Sequence, residues 1–304
     1  MIYLNQIEPW YEPTDVLRMH SGYKCLMSRD DHAFISGLIK KYRPKKIVEV
    51  GVDTGGTSVL IIKSLEMIEC KSKFISVDID VYRKGYKVGY ILNKFENSGL
   101  VDHSLLTGKL LLDRMDEIGD NIDLTILDTA HKIPGEIFEF LTILPFMSKN
   151  GIILMHDINL SNLYALDIKK VLNSFSSIAT KVLFPAISGE KFYNCDERGF
   201  NNIGAVRINE HTMPNIGNVF FTLTNIWYLE VKKEIIEKYR IYFEKYYPEE
   251  YVSFFNIYAS QQSQYKHNIA LVRKYFSFYN KCFRNLQEIY RTMKKLLKTN
   301  YTQT

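Results

Sequence analysis

The segment that most constrains this 304-residue chain runs Ile47-Val-Glu-Val-Gly-Val-Asp-Thr-Gly-Gly-Thr-Ser-Val-Leu-Ile-Ile62. A continuous apolar run is what a strand covered on both faces requires. The apolar run after the turn is long enough for a helix. Between them, Gly51, Gly55 and Gly56 let the backbone turn sharply and approach a ligand with no Cβ in the way. Such a turn lies at the carboxyl end of a first strand, beside the point where strand order reverses in a doubly wound sheet, and ligands bind there. The spacing is not G-x-G-x-x-G, and nothing matches the phosphate loop G-x-x-x-x-G-K-[ST], so NAD and ATP are both disfavoured.

The rest of the first two thirds follows the same alternation of short apolar runs with longer amphipathic segments, the pattern of βαβ units. The first long helix is predicted to start at Ser28, an N-cap before Arg29-Asp30-Asp31, and to stop at Pro44. Strands are predicted at 46–50, 74–77, 103–106, 124–127, 152–155, 181–184 and 203–208. The second of these, Phe74-Ile-Ser-Val-Asp78, ends in an acid 27 positions after Gly51. A carboxylate there can accept two hydrogen bonds from vicinal ribose hydroxyls, and Asp80 is left as a solvated turn acid. Glu49, inside a buried run, is costly without a partner; backbone amides of the turn or a cationic ligand group would supply one.

Charge and composition divide the chain. Its net charge is +5, yet residues 217–304 carry 14 Lys+Arg against 7 Asp+Glu and 21 of the aromatic residues. This places an N-terminal segment at 1–27, an α/β domain at 28–215 and an aromatic-rich, basic helical region at 216–304. In the last region helices are predicted at 233–246, from about residue 249, and at 270–298. The last has an apolar stripe of Leu286, Ile289, Tyr290, Met293, Leu296 and Leu297, flanked by Arg284, Arg291, Lys294, Lys295 and Lys298. Packing or dimer formation is the leading role, with a tyrosine-rich substrate lid or a face for anionic lipid, glycan or nucleotide-sugar as alternatives. Nucleic acid is disfavoured, because the aromatics follow helical packing rather than a stacking sheet. Cys25, Cys70, Cys195 and Cys282 are too scattered for a disulfide framework. The N-terminus lacks a signal-peptide pattern, and a cytoplasmic protein is expected.

The blocks Glu-Val-Gly-x-x-x-Gly-Gly-Thr, Val77-Asp78, Ile122-Asp-Leu-Thr-Ile-Leu-Asp-Thr-Ala-His131 and Lys149-Asn-Gly-Ile-Ile-Leu-Met-His-Asp157 resemble, in order, the class I S-adenosylmethionine-dependent methyltransferases. Within that family they look like the subgroup of small-molecule O-methyltransferases and cephalosporin-hydroxylase-like proteins. The resemblance covers about residues 28–210. It implies an α/β fold with a Rossmann-like, doubly wound seven-stranded sheet, here with a C-terminal helical extension. The last two strands, 181–184 and 203–208, would form an antiparallel pair. It also implies that Glu49, Gly51, Gly55 and Thr57 surround the methionine part of S-adenosylmethionine, Asp78 the ribose, and Thr107 and Gly108 the adenine, with Asp128 completing the cofactor site. Asp53 points either into that pocket or out to solvent.

Asp128 closes the fourth strand and His156-Asp157 the fifth. Two carboxylates from neighbouring strand ends are hard oxygen ligands that suit Mg²⁺ or another divalent cation, and metal-dependent relatives use acids at these strand ends. Asp128 and Asp157 are therefore the expected metal ligands, with His156 or Asn159 to complete the set. The alternative is that Asp157 caps the next turn and His156 packs on the sheet. His131, three residues after Asp128, is the expected general base, with His156 its rival if no metal binds; a solvated loop histidine is the alternative. His20, His32 and His103 have less diagnostic surroundings. The expected activity is methylation of a hydroxyl on a small molecule, a sugar or secondary metabolite, by a homo-oligomer that can touch a membrane peripherally. An N-methyltransferase and a non-catalytic cofactor-binding assembly subunit are the competing functions.

Overall fold

The structure is a computed structural model describing residues 7–159, 179–194, 202–225 and 227–262. Contacts divide the chain into Met1–Asn256 and Ile257–Thr304. Residues 216–256, grouped by composition with the C-terminal region, therefore fall in the first unit. In the second, the described residues 257–262 are helical.

The first unit is built on a seven-stranded sheet: β1 (Lys46–Val50), β2 (Ser72–Asp78), β3 (Val101–Thr107), β4 (Ile122–Leu127), β5 (Met147–His156), β6 (Glu190–Tyr193) and β7 (Ile203–Arg207). Its order is β3-β2-β1-β4-β5-β7-β6. Strands β1 to β5 run parallel, β7 pairs antiparallel with β5, and β6 pairs antiparallel with β7. Strand order reverses between β1 and β4, so their carboxyl ends open the crevice in which doubly wound folds bind ligands.

Helices cover both faces. α1 (Glu12–Arg18) leads to α2 (Arg29–Tyr42), which opens with a capping box. The Asp31 amide donates to Ser28 Oγ at 3.0 Å, and the Ser28 amide donates back to Asp31 Oδ2 at 3.2 Å. Two orphan donors of the first turn are thus satisfied reciprocally. The helix ends at Arg43, in left-handed conformation (φ 47°) just before Pro44. α3 (Gly56–Met67) is buried on most of its surface, with Lys63 and Glu66 half-buried.

Two strand expectations need correction. Residues 181–184 are not a strand: they lie in α5 (Ala179–Ala186), numbered after α4 (Gly135–Ile143). Ala179, Thr180, Leu183 and Phe184 are its buried positions, and their 3–4 spacing is helical. A four-residue apolar run cannot separate the two periods by itself. The antiparallel partner of β7 is β6 instead, where only Phe192 of four residues is buried. The fifth strand also begins before the predicted Ile152, and its register with β4 shifts between Ile122 and Leu124, beside Gly151.

After β7 come α6 (Gly217–Thr222) and α7 (Lys233–Tyr246), the latter with the predicted bounds. Phe243, fully buried, is the hub of an aromatic cluster. Its ring centroid lies 5.2 Å from Phe255, 5.6 Å from Phe220 and 6.0 Å from Phe138 of α4. The tyrosines beside it satisfy polar groups as well: Tyr242 donates to the Thr142 carbonyl at 2.7 Å and Tyr247 to the Leu141 carbonyl at 2.6 Å. Carbonyls in the last turn of a helix have no intrahelical partner, so α7 closes the end of α4 while burying its apolar face. No described helix is long and apolar enough to cross a membrane. The predicted helix at 270–298, with its apolar stripe and basic residues, lies outside the described residues, as do Cys195 and Cys282.

Because Phe243 joins α4, α6 and α7, Phe243→Ala is expected to destabilise the first unit by about 3–5 kcal/mol. Urea unfolding checks this, and a loss below about 1 kcal/mol, the size of an exposed-site effect, would show that the cluster contributes little to the fold.

Candidate active site

The crevice is shaped by backbone contacts that only glycine permits. Gly51 has φ +91°, and a Cβ there would stand 2.0 Å from the Asp128 carbonyl oxygen. The Gly51 amide donates to the Val77 carbonyl and the Asp128 amide to the Val50 carbonyl, each at 2.9 Å. The ends of β1, β2 and β4 are thereby locked together. Gly55 (φ +93°) precedes α3, and at Gly56 a Cβ would meet the Lys24 carbonyl at 2.3 Å. A strap of residues 23–27 lies on the turn: Thr54 Oγ1 donates to the Lys24 carbonyl at 3.1 Å, and Tyr23 donates to the Gly56 carbonyl at 3.3 Å.

Asp78 is buried at the end of β2. Its Oδ2 accepts the Val52 amide at 2.9 Å and the Asp53 amide at 3.3 Å, while Oδ1 accepts the Asp80 amide at 2.9 Å. The acid expected at the ribose thus also holds the glycine turn. Gly108 (φ +81°) donates to the Asp78 carbonyl at 3.0 Å, and the Thr107 carbonyl accepts from Arg114 Nη2 at 2.8 Å. Asp53 turns away to Tyr86, whose hydroxyl donates to it, and lies 3.9 Å from Arg83. Thr57 is buried, 3.5 Å from Cys25 Sγ.

Glu49 has partners of another kind than expected. Ser58 and Ser76 donate to its Oε2 at 2.5 and 2.8 Å. Burial pushes its carboxyl up to about 8, against the pull of those two hydroxyls. Stability follows from the sign of this shift: between 4.5 and about 8 the folded chain holds a proton that the unfolded chain has released, so stability falls as pH rises through that window. Glu49→Gln keeps the shape and removes the ionisation. Its urea midpoint should gain on the wild type as pH moves up the window, and a constant difference at both ends would refute the neutral buried acid.

The edge at the carboxyl ends of β4 and β5 holds a cluster of acids and imidazoles. Asp128 follows β4, His156 ends β5, and Asp157 and His131 both sit in left-handed backbone (φ 57° and 52°). Asp128 Oδ1 is 3.2 Å from His156 Nδ1 and 3.5 Å from His131 Nε2. Asp157 reaches both rings, with Oδ2 3.2 Å from His131 Nε2 and Oδ1 3.5 Å from His156 Nδ1. One ligand atom each from Asp128, His131 and His156 lie within 4.8 Å of one another. Burial opposes charge on all three, but the acids outweigh it at both imidazoles and hold them well above the usual histidine value. Asp128, in turn, is held below the ordinary carboxylate range by His156 and His131, against its burial.

Four further members of this edge carried no functional signal in the sequence. Asp31, the capping-box acid, lies 3.5 Å from His156 Nε2. Glu136 and Thr180 meet on His131 Nδ1. Asn202, just before β7, donates to Asp157 Oδ1 at 2.8 Å, and its own Oδ1 is buried with no hydrogen-bond partner. The acid-to-helix-start spacing was readable for Asp31 and Glu136, but which strand end each faces was not. Cys25 and His32 also meet, at 3.0 Å. Burial raises the thiol and lowers the imidazole to about 3, which makes a neutral pair rather than a thiolate and imidazolium.

Solved structures of similar architecture include the O-methyltransferase TomG from Streptomyces achromogenes in complex with SAM, 13% identical, covering 67% of this chain and 92% of that one with a TM-score of 0.45. The O-methyltransferase from Bacillus cereus in complex with SAH is 14% identical, with 64% and 89% covered and a TM-score of 0.44. The SAH-bound methyltransferase PaMTH1 of Podospora anserina is 16% identical, with 66% and 87% covered and a TM-score of 0.47. No curated protein matches the chain. Residues 48–158, the stretch that supplies the glycine turn, Asp78, Asp128, His131, His156 and Asp157, match the family model of a methyltransferase domain.

Proposed function

We propose that the protein transfers the methyl group of S-adenosylmethionine to a hydroxyl of a small molecule, a sugar or secondary metabolite. The observation that carries this reading is the convergence, on one sheet edge, of the glycine turn braced by Asp78 with the cluster of Asp128, His131, His156 and Asp157. On this reading the ribose hydroxyls meet Asp78, the methionine part lies along Glu49, Gly51, Gly55 and Thr57, and the adenine lies by Thr107 and Gly108. An Asp carboxylate has about four lone-pair sites; three accept backbone amides, which orients the group and leaves capacity for a ribose hydroxyl.

The cluster suits a divalent cation. Asp31, Asp128, Glu136 and Asp157 bring four carboxyl groups to two imidazoles, and among the described residues no Lys or Arg is paired with them. The orphaned Asn202 Oδ1 beside Asp157 is a further oxygen donor without a partner. A mixed oxygen and nitrogen set of this kind fits Mn²⁺ or a similar ion better than Mg²⁺, which favours oxygen ligands and water. A bound divalent cation would lower the pKa of the acceptor hydroxyl and offset the negative charge that keeps protons on the imidazoles. Asp128 and Asp157 hold the oxygen side of the site. His131 or His156 takes the hydroxyl proton as the acceptor oxygen attacks the methyl carbon in line with the departing sulfur. Holding the two reactants in that line supplies much of the acceleration. An amine acceptor needs no such assembly of acids, which favours the hydroxyl.

Calorimetry with S-adenosylmethionine tests the cofactor half. Removing an acceptor of buried donors in Asp78→Ala should weaken binding by about 2 kcal/mol or more, and an unchanged affinity would take the ribose away from Asp78. The catalytic half is tested with radiolabelled cofactor and a panel of hydroxylated small molecules, before and after chelation. Transfer to hydroxyls that survives exhaustive chelation would remove the cation from the proposal, and transfer to amines alone would replace O- by N-methylation.

A further inference from the structure

We propose that Glu136, together with Thr180, is a positioning residue that keeps a proton on Nδ1 of His131 and thereby presents Nε2 to Asp128 and Asp157. The inference rests on the reading of that edge as the site of methyl transfer, and it names which nitrogen of His131 does the work and what holds it there.

The hydrogen bonds leave little choice. Glu136 stands in the first turn of α4 and its side chain is fully buried. Thr180, equally buried in the first turn of α5, donates its hydroxyl to Glu136 Oε2 at 2.5 Å. That hydroxyl has one hydrogen, and it is now committed. His131 Nδ1 faces the other carboxyl oxygen, Oε1, at 3.0 Å, and the lone pairs of Thr180 Oγ1 at 3.2 Å. Against an ionised Glu136 both are acceptors, and Nδ1 is then the donor. The backbone supports the same placement, since the Ala179 amide donates to the His131 carbonyl at 3.0 Å. α5 thus grips His131 through both main chain and side chain.

The consequence lies on the far side of the ring. With Nδ1 committed, Nε2 is the nitrogen that can gain or lose a proton or meet a cation, and it points at Asp128 Oδ1 and Asp157 Oδ2. A histidine whose second nitrogen donates to a buried carboxylate has a fixed tautomer and ring orientation, and loss of such an outer partner typically costs 10–100-fold in metal affinity or activity. A fully buried acid that bonds to His131 and Thr180 has a role in this arrangement that packing alone would not require, since an apolar side chain could fill the space without desolvating a carboxyl group.

The test reads the proton directly. In the full chain labelled with ¹⁵N-histidine, two-bond ¹H–¹⁵N correlations should show His131 Nδ1 protonated. Thr180→Val and Glu136→Gln, both close in size to the native residues, are then compared. At a pH high enough to leave one proton on the His131 ring, Thr180→Val should let the two tautomers mix. Glu136→Gln, whose amide oxygen can still accept from Nδ1, should keep more of the Nδ1–H form. With Mn²⁺ as the probe, followed by electron paramagnetic resonance, both variants should bind about 10- to 100-fold more weakly, while affinity for S-adenosylmethionine stays within a few-fold. A bare Nδ1 in the wild type, or nitrogen shifts of the neutral ring unchanged in Thr180→Val, would overturn the proposal. Absence of Mn²⁺ binding to the wild type would instead count against the cation in the proposed function, and the nitrogen measurement would still decide the role of Glu136.

Discussion

The structure depends on the close approach of two backbones at Gly51. With a would-be Cβ 2.0 Å from the Asp128 carbonyl oxygen, no other residue allows β1 and β4 to end side by side. That contact is made at the point where strand order reverses, so it sets the width of the crevice from which every candidate site residue is presented. Asp128 is shared between two tasks. Its main chain closes the glycine turn, and its side chain anchors the acid and imidazole cluster. The glycine turn and the cluster are therefore held in register through a single residue.

The cluster then poses a problem of charge. Burying several carboxyl groups near one another is costly unless positive charge comes with them. The two imidazoles answer it, since the acids around them hold both well above the usual histidine value. This is a compensating arrangement, and it places His131 and His156 in the wrong protonation state for accepting a proton until the negative charge is met some other way. In the proposed function, cation binding and general-base action are consequently two aspects of one electrostatic condition rather than separate properties of separate residues.

What could be read from the sequence follows from where the information lies. β1 is legible to the residue because its short run, apolar but for Lys46 and Glu49, ends directly at the glycine turn. β6 is not, since a four-residue edge strand with one buried side chain has almost no pattern, and the nearby apolar run of α5 resembles a strand more than β6 does. The same contrast holds at the site. Asp78, Asp128, His156 and Asp157 are strand ends, and strand ends of a parallel sheet share an edge by topology. Glu136, Thr180, Asp31 and Asn202 reach the cluster only through helix packing and strand pairing in three dimensions, which local patterns do not record. Glu49 is the intermediate case. Its burial was legible and demanded a partner, but the partners are the hydroxyls of Ser58 and Ser76, two residues that look like ordinary small polar positions.

Asp31 shows how closely stability and chemistry are joined at this edge. As the capping-box acid it accepts from both the backbone and the hydroxyl of Ser28, at 3.2 and 2.7 Å, work that an exposed helix start would assign to any acid. Here the helix start is buried against the end of β5, and the same carboxyl lies 3.5 Å from His156 Nε2. His156 lowers the pKa of Asp31 against its burial, and Asp31 helps to raise that of His156. The cap and the imidazole each make the other's charged form cheaper to bury. A helix that only needed capping could use Ser28 with any hydrogen-bonding residue at the third position, whereas one that must also steady His156 needs an acid there. The acid at residue 31 thus serves the cluster as well as the cap, and the stability of α2 is linked to the protonation of His156 at the end of β5.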